Sequence, residues 1–318
     1  MRRVRLQRGI LAGPICLAFM WGTPLTVSAD DGPSSERRPS NGPKIEVDVL
    51  TRGNSSRKTQ TDAVSRLPMK HLSPEQSRRV QNIVDNRSMF RRLPNIQIDA
   101  DPAVYRYFTH NPEAAVSIWR RLGISKFQLR ETSNGVWHAD AGDGSVGTIE
   151  VLHRTNNEQL LLCKGSYKSP LLTKILQAQA VMHLRNVGVV AESDPDGPAQ
   201  VLHDLDLFVM FPSQTVDAVA KVISPVSHMI ADRNFRELSL FVRFMHVAMQ
   251  RQPGWVEQLA GQLDGVTPDQ KVELLKVSAR IFVDERRRNE NGAGVTQTGL
   301  ESAVAPDRTV VPAAGAGQ

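Results

Sequence analysis

The stretch 126–211 constrains this chain more than any other, because it holds the only clear run of β-type segments and is flanked on both sides by helical patterning. Phe127-Gln128-Leu129-Arg130 leads through a Ser133-Asn134-Gly135 turn into 136–140, and Gly142-Asp143-Gly144 separates that segment from 146–153. Asn156-Asn157 divides this from Leu160-Leu161-Leu162-Cys163. Short apolar or alternating runs broken by Asn-Gly and Asp-Gly pairs are the signature of an antiparallel meander. The segment 167–185 reads two ways. Leu172, Ile175, Gln179 and Met182 make a helical stripe, whereas Ala178, Ala180, Met182 and Leu184 alternate with Gln177, Gln179, His183 and Arg185. A strand from about Gln177 is preferred, since it pairs with 200–211 across a turn at 193–197.

Helices are expected on either side. Ser73-Pro74-Glu75-Gln76 is a capping box, followed by Val80, Ile83, Val84 and Phe90 on one face and stopped by Leu93-Pro94. Asn111-Pro112-Glu113 opens a second helix, with Ala115, Ile118, Trp119 and Leu122 inward and Gly123 as its stop. From Ser213 the pattern stays helical: Val216, Val219, Ala220 and Ile223 form a stripe that Pro225 breaks or kinks. Asp232 then caps a helix whose Phe235, Leu238, Phe241, Val242, Met245 and Met249 make a strong apolar face. A short piece holds Trp255 and Leu259. Thr267-Pro268-Asp269-Gln270 repeats the capping device, and a last helix buries Val272, Leu275, Ala279 and Phe282 before ending in Arg286-Arg287-Arg288.

The expected fold is therefore α+β: N-terminal helices, an antiparallel meander of about six strands, and C-terminal helices packed on one face, forming a single domain over 71–288. Residues 30–70 are poor in apolar side chains and rich in Ser, Pro, Gly, Arg and Asn, which predicts a disordered linker; 289–318 is expected to be a loose tail. A sheet wrapped around helices resembles, at the level of fold alone, the helix-grip and cone-shaped folds that hold apolar molecules.

Residues 1–29 read as a signal peptide, which predicts export to the periplasm or beyond the cell. Arg2, Arg3, Arg5 and Arg8 form a basic start, 9–21 is uncharged and mostly apolar, and Val27-Ser28-Ala29 supplies small residues before a cleavage site at Asp30. No later stretch is long and apolar enough to predict a transmembrane helix in the mature chain. The chain carries 39 Lys and Arg against 33 Asp and Glu; with those four arginines removed the balance falls to about +2, which argues against nucleic acid as a partner. Of the two cysteines only Cys163 lies beyond the signal, so no intramolecular disulfide is expected, and its apolar strand marks it as a buried, inert thiol.

No catalytic motif stands out. Glu192-Ser193-Asp194-Pro195-Asp196-Gly197 has the spacing of a calcium loop, but the twelfth position is His203 and strands flank it, so an Asp-Gly turn accounts for it and no metal is expected. His203, Asp204 and Asp206 share a strand, with His138, His153 and His183 on others; neighbouring strands offer a route to a metal or general-base site, against which stands a scatter of half-buried histidines. Ser166 lacks a nucleophile elbow. Gly142–Gly147 lacks the Lys-Ser/Thr ending of a phosphate loop. Arg91-Arg92, Arg120-Arg121 and Arg286–Arg288 read as solvated helix ends. The candidate site is apolar: Phe235, Leu238, Phe241, Met245 and Met249 are suited to walling a ligand cavity against a curved sheet. No cofactor is expected. The leading reading is a non-catalytic exported cell-envelope protein that binds an apolar small molecule or an envelope protein. The alternatives are an exported hydrolase or metal-dependent enzyme using residues such as His203 and Asp206, and a structural or interaction module.

Overall fold

The computed structural model describes residues 45–167, 175–189, 199–212 and 214–301, with side chains described outside 213–226 and 291–301. The expected signal peptide and the 192–197 turn lie outside the described residues. The N-terminal part of the fold is β1 (Asp48–Thr51), α1 (Arg57–Ser65), a 3₁₀ turn (Met69–His71), α2 (Pro74–Asp85), β2 (Met89–Arg92) and β3 (Asn95–Ile98). Next come α3 (Pro102–His110) and α4 (Pro112–Arg121), then six strands: β4 (Gln128–Ser133), β5 (Val136–Asp140), β6 (Ser145–Arg154), β7 (Glu158–Tyr167), β8 (Leu176–Val189) and β9 (Gln200–Met210). The chain continues through α5 (Gln214–Arg251), α6 (Pro253–Gly261) and α7 (Pro268–Glu301).

The class is α+β as the pattern predicts, and the six-strand meander β4–β9 forms in sequence order, each strand antiparallel to the next. The turns at 133–135 and 142–144 are where the sequence places them. Gly135 (φ +72°) and Gly144 (φ +95°) occupy the left-handed region that a side chain strains to reach. The segment around Gln177 is strand, and its alternation is the reason: Ala180 and Met182 enter one core while Val181 enters the other.

Three further strands enlarge the sheet to nine. β2 and β3 lie end to end along the free edge of β9, with Phe90 opposite Phe208 and Ile98 opposite Val201, and β1 pairs with β3. Phe90 thus belongs to a strand rather than to the helix face assigned to it. Leu93-Pro94 marks the joint between the two short strands, where proline has no N–H to give the ladder.

The sheet is covered on both faces. Ala63 of α1 and Val80, Ile83 and Val84 of α2 pack with Leu160, Leu162, Val181 and Phe208 on one side. The larger core on the other side joins α3–α7 to the opposite side chains of the same strands, among them Ala180, Met182, Leu205 and Leu207. For the described part of the range 30–70, residues 45–70, the expected disorder is corrected by this arrangement, since β1 and α1 form there and Ala63 is fully buried. Sequence-poor apolar content is offset there by charge: Arg92 Nη1 lies 2.8 Å from Asp62 Oδ2, which ties α1 to β2.

Four helices depart from the sequence reading. α3 was not expected, although Asp101-Pro102 starts it with the same punctuation as Ser73-Pro74; the Asp101 carboxylate accepts from Ala103 N at 2.7 Å. α5 runs 38 residues straight through Pro225 and Asp232. The cost of an interior proline, about 3 kcal/mol, is small against the apolar face this helix buries. Leu122 is exposed at the end of α4. In α7 the buried face is Leu274, Ser278 and Ile281, with Val272 and Ala279 outside; the sequence stripe was placed one residue out of phase, which an adjacent Leu274-Leu275 pair permits. That helix also continues past 288 to Glu301. Both capping boxes form: Gln76 N donates to Ser73 Oγ at 3.2 Å and Gln270 N to Thr267 Oγ1 at 3.3 Å. No helix among the described residues is long and apolar enough to cross a membrane.

Candidate functional site

An apolar cavity of about 170 Å³ lies between the sheet and α3, α4 and α5. Period-two alternation supplies one wall: Leu129, Trp137, Ile149, Leu161, Met182, Leu184 and Leu205 come from β4 to β9 on the face toward the larger core. Tyr105 and Phe108 of α3, Val116 and Trp119 of α4, and Phe235, Leu238, Phe241 and Val242 of α5 supply the other. The i, i+3, i+6, i+7 spacing of the α5 residues keeps all four on one side of the helix. Aromatic packing fixes this wall. The Phe241 ring meets Phe108 at 5.0 Å and Trp119 at 5.3 Å, both edge to face.

Of the five expected ligand residues, Phe235, Leu238 and Phe241 line this cavity. Met245 and Met249 are fully buried in the larger core but are not on the cavity wall, because the same stripe carries on past it along α5.

The polar groups at the cavity are few. His203 is buried at its edge, stacked on Phe235 with ring centres 4.4 Å apart. Ser239 Oγ donates to the Phe235 carbonyl at 2.9 Å, so it accepts from His203 Nε2 at 2.8 Å. That leaves His203 Nδ1 to accept from the Tyr105 hydroxyl at 3.0 Å. Burial lowers the His203 pKa to about 3 and raises that of Tyr105, so the imidazole is neutral and the phenol protonated. Ser239 resembles the serine of a Ser–His pair, but its proton goes to a helix carbonyl and its hydroxyl is fully buried.

Asp206, the other residue named for an enzymatic site, points the opposite way. Three residues along a strand reverse the face, and Asp206 is held by Arg92, with Nε to Oδ1 at 2.7 Å and Nη2 to Oδ2 at 2.9 Å. Arg185 Nη2 approaches its other side at 3.0 Å. Arg91 reaches Asp232 of α5, with Nε to Oδ1 at 3.0 Å. Neither Arg91 nor Arg92 is a solvated helix end, and Asp232 is an ion-pair partner instead of a cap. His153 and His183 converge on Glu158 on that second face, His183 Nε2 at 2.6 Å from Oε1 and His153 Nε2 at 3.6 Å from Oε2, while His138 is exposed. Among the described residues, no group of three His, Cys, Asp or Glu side chains is placed to hold a metal ion. Cys163 is buried and free, its thiol pushed up to about 12 by burial.

Two further polar residues had no sequence signal, and of these Arg154 lines the cavity while Glu113 sits behind its wall residue Trp137. Glu113, at the start of α4, is buried and accepts from Trp137 Nε1 at 2.8 Å and from Gln270 Nε2; burial raises its pKa. Arg154 reaches the cavity from the end of β6 because of a bulge. Val151 pairs with Leu161 but His153 pairs with Leu160, so Leu152 is extra and every later side chain changes face. Arg154, opposite Gln159, is thereby turned to the cavity side, and both line it. A second, polar cleft of about 430 Å³ lies between α4, β4 and the end of α6, beside Arg120, Arg121 and Lys126.

No protein-family model matches the chain, and no curated protein matches its sequence. Among solved structures it is similar to a conserved protein from Geobacillus kaustophilus at 10% identity, over 46% of this chain and 91% of that one, with a TM-score of 0.34. A likeness of that size carries no argument about fold or function.

Proposed function

We propose that this is an exported, non-catalytic protein of the cell envelope that holds a small apolar ligand between its sheet and helices. The observation that supports this reading is the 170 Å³ cavity walled by aromatic and aliphatic side chains of α3–α5 and the facing strands. Protein interiors are packed to crystal density, so an apolar hollow of this size is space that the side chains around it leave for another molecule. An apolar cavity of comparable volume accepts a benzene-sized molecule. Export rests on the charge and apolar pattern of residues 1–29.

Calorimetric titration with toluene tests the binding, with a Leu238→Phe variant that fills the cavity as its control. The expected result is saturable one-site binding in the native chain that is at least tenfold weaker in the variant. Heat of dilution alone in the native chain rejects the reading. Intact-mass measurement on envelope fractions tests export: the expected species begins at Asp30, and material beginning at Met1 rejects a cleaved signal.

A further inference from the structure

We propose that the occupant of this cavity is a small monocarboxylic acid, with its apolar body among the aromatic rings and its carboxylate on Arg154. The inference rests on the ligand-binding reading above and names the ligand's chemical class.

Among the other half-buried arginines, Arg79, Arg91, Arg92, Arg185 and Arg243 each face a carboxylate, respectively Glu150, Asp232, Asp206, Asp204 and Asp99, while Arg87 gives its Nη1 to the Val84 carbonyl. Arg154 forms no such pair among the described residues. Its Nε is buried without a hydrogen-bond partner, and its one bond to the protein is a long one, Nη1 to the His110 carbonyl at 3.4 Å. The guanidinium otherwise lies 5.7 Å from the centre of the Trp137 ring, on the cavity wall. Glu113 and Glu131 are the acids whose charges act on it, but neither pairs with it: Trp137 and Gln270 take the Glu113 oxygens, and Gly135 N donates to Glu131 Oε1 at 3.0 Å.

A buried guanidinium N–H without an acceptor costs free energy, and this one is placed by a bulge that a regular strand would not contain. A carboxylate answers both needs, since its two oxygens match the guanidinium fork in a charge-assisted pair. Arg154 is the charged side chain of a lining that is otherwise apolar or neutral, and a single negative charge complements it. The volume limits the rest of the molecule to about the size of a benzene ring.

The test is titration of the purified protein with benzoate, benzyl alcohol and toluene at neutral pH, followed by the same series on Arg154→Gln and Arg154→Lys. Benzoate is expected to bind at least tenfold more tightly than the two neutral probes. In Arg154→Gln the ratio should fall to about one, and Arg154→Lys, which keeps the charge but not the fork, should retain an intermediate preference. Equal binding of all three probes by the unaltered protein overturns the acid assignment and leaves the apolar-ligand reading standing. Binding of none of them overturns both. The preference of the unaltered protein decides the matter even if a variant folds poorly.

Discussion

At the scale of single residues, the proton inventory of His203 has a consequence for stability. The native imidazole is held neutral with a pKa lowered to about 3 by burial, against about 6.5 in an unfolded chain. Between those values the unfolded state binds the extra proton, so stability is full above about pH 6.5 and falls as pH drops toward 3. His246, lowered to about 4 chiefly by burial, acts in the same direction. We predict that the denaturation free energy declines between pH 6 and pH 4.5, and that in His203→Gln the slope is shallower by about 1.4 kcal/mol per pH unit. Equal slopes in the two proteins would show that His203 takes up its proton without unfolding. The Arg92–Asp206 pair carries a second residue-scale expectation. Asp206 is fully buried between two arginines, so Asp206→Asn removes the carboxylate they share, leaving Arg92 with Asp62 and Arg185 with Asp204, and should cost about 3 kcal/mol in urea denaturation.

Among the elements, α5 joins the core to the cavity, and its two halves should respond differently to substitution. Phe241 packs edge to face with Phe108 and Trp119, so Phe241→Ala should cost about 3–5 kcal/mol in the denaturant midpoint series. Met245 is equally buried but away from the cavity wall. Met245→Leu conserves volume and should cost less than about 1.5 kcal/mol, with toluene affinity unchanged. A tenfold change in that affinity would place Met245 on the ligand after all. The bulge in β6 is the second decisive element. It reverses the face of one short stretch and so delivers Arg154 to the larger core while sending His153 toward Glu158.

For the whole molecule, the two-sided burial of the sheet explains why the N-terminal segment is part of the domain. α1 and α2 close the second face over Leu160, Leu162 and Phe208, and the ion pairs of Asp62 and Asp232 with Arg92 and Arg91 fasten the segment to the sheet and to α5. Amides of Arg57–Ser65 should therefore show hydrogen-exchange protection well above that of an unstructured peptide, weakened in Arg92→Gln. Exchange of that helix at the unstructured rate would mean it does not dock.

The sequence determined the elements whose cause is local. The Asn134-Gly135 and Asp143-Gly144 turns, the alternation of 177–185 and the two capping boxes depend on neighbours a few residues apart, and all of them formed where the pattern put them. The apolar stripe of α5 was legible for the same reason, and with it Phe235, Leu238 and Phe241 on the cavity wall. The tertiary structure decided what depends on distant partners. Short strands β1–β3 exist because β9 offers an edge for β2 and β3, and α1 is held by a salt bridge to a residue 30 positions away. Arg154 became a cavity residue through a one-residue bulge in pairing register, which leaves no trace in composition or spacing; register is fixed only when two strands meet and choose which faces to bury.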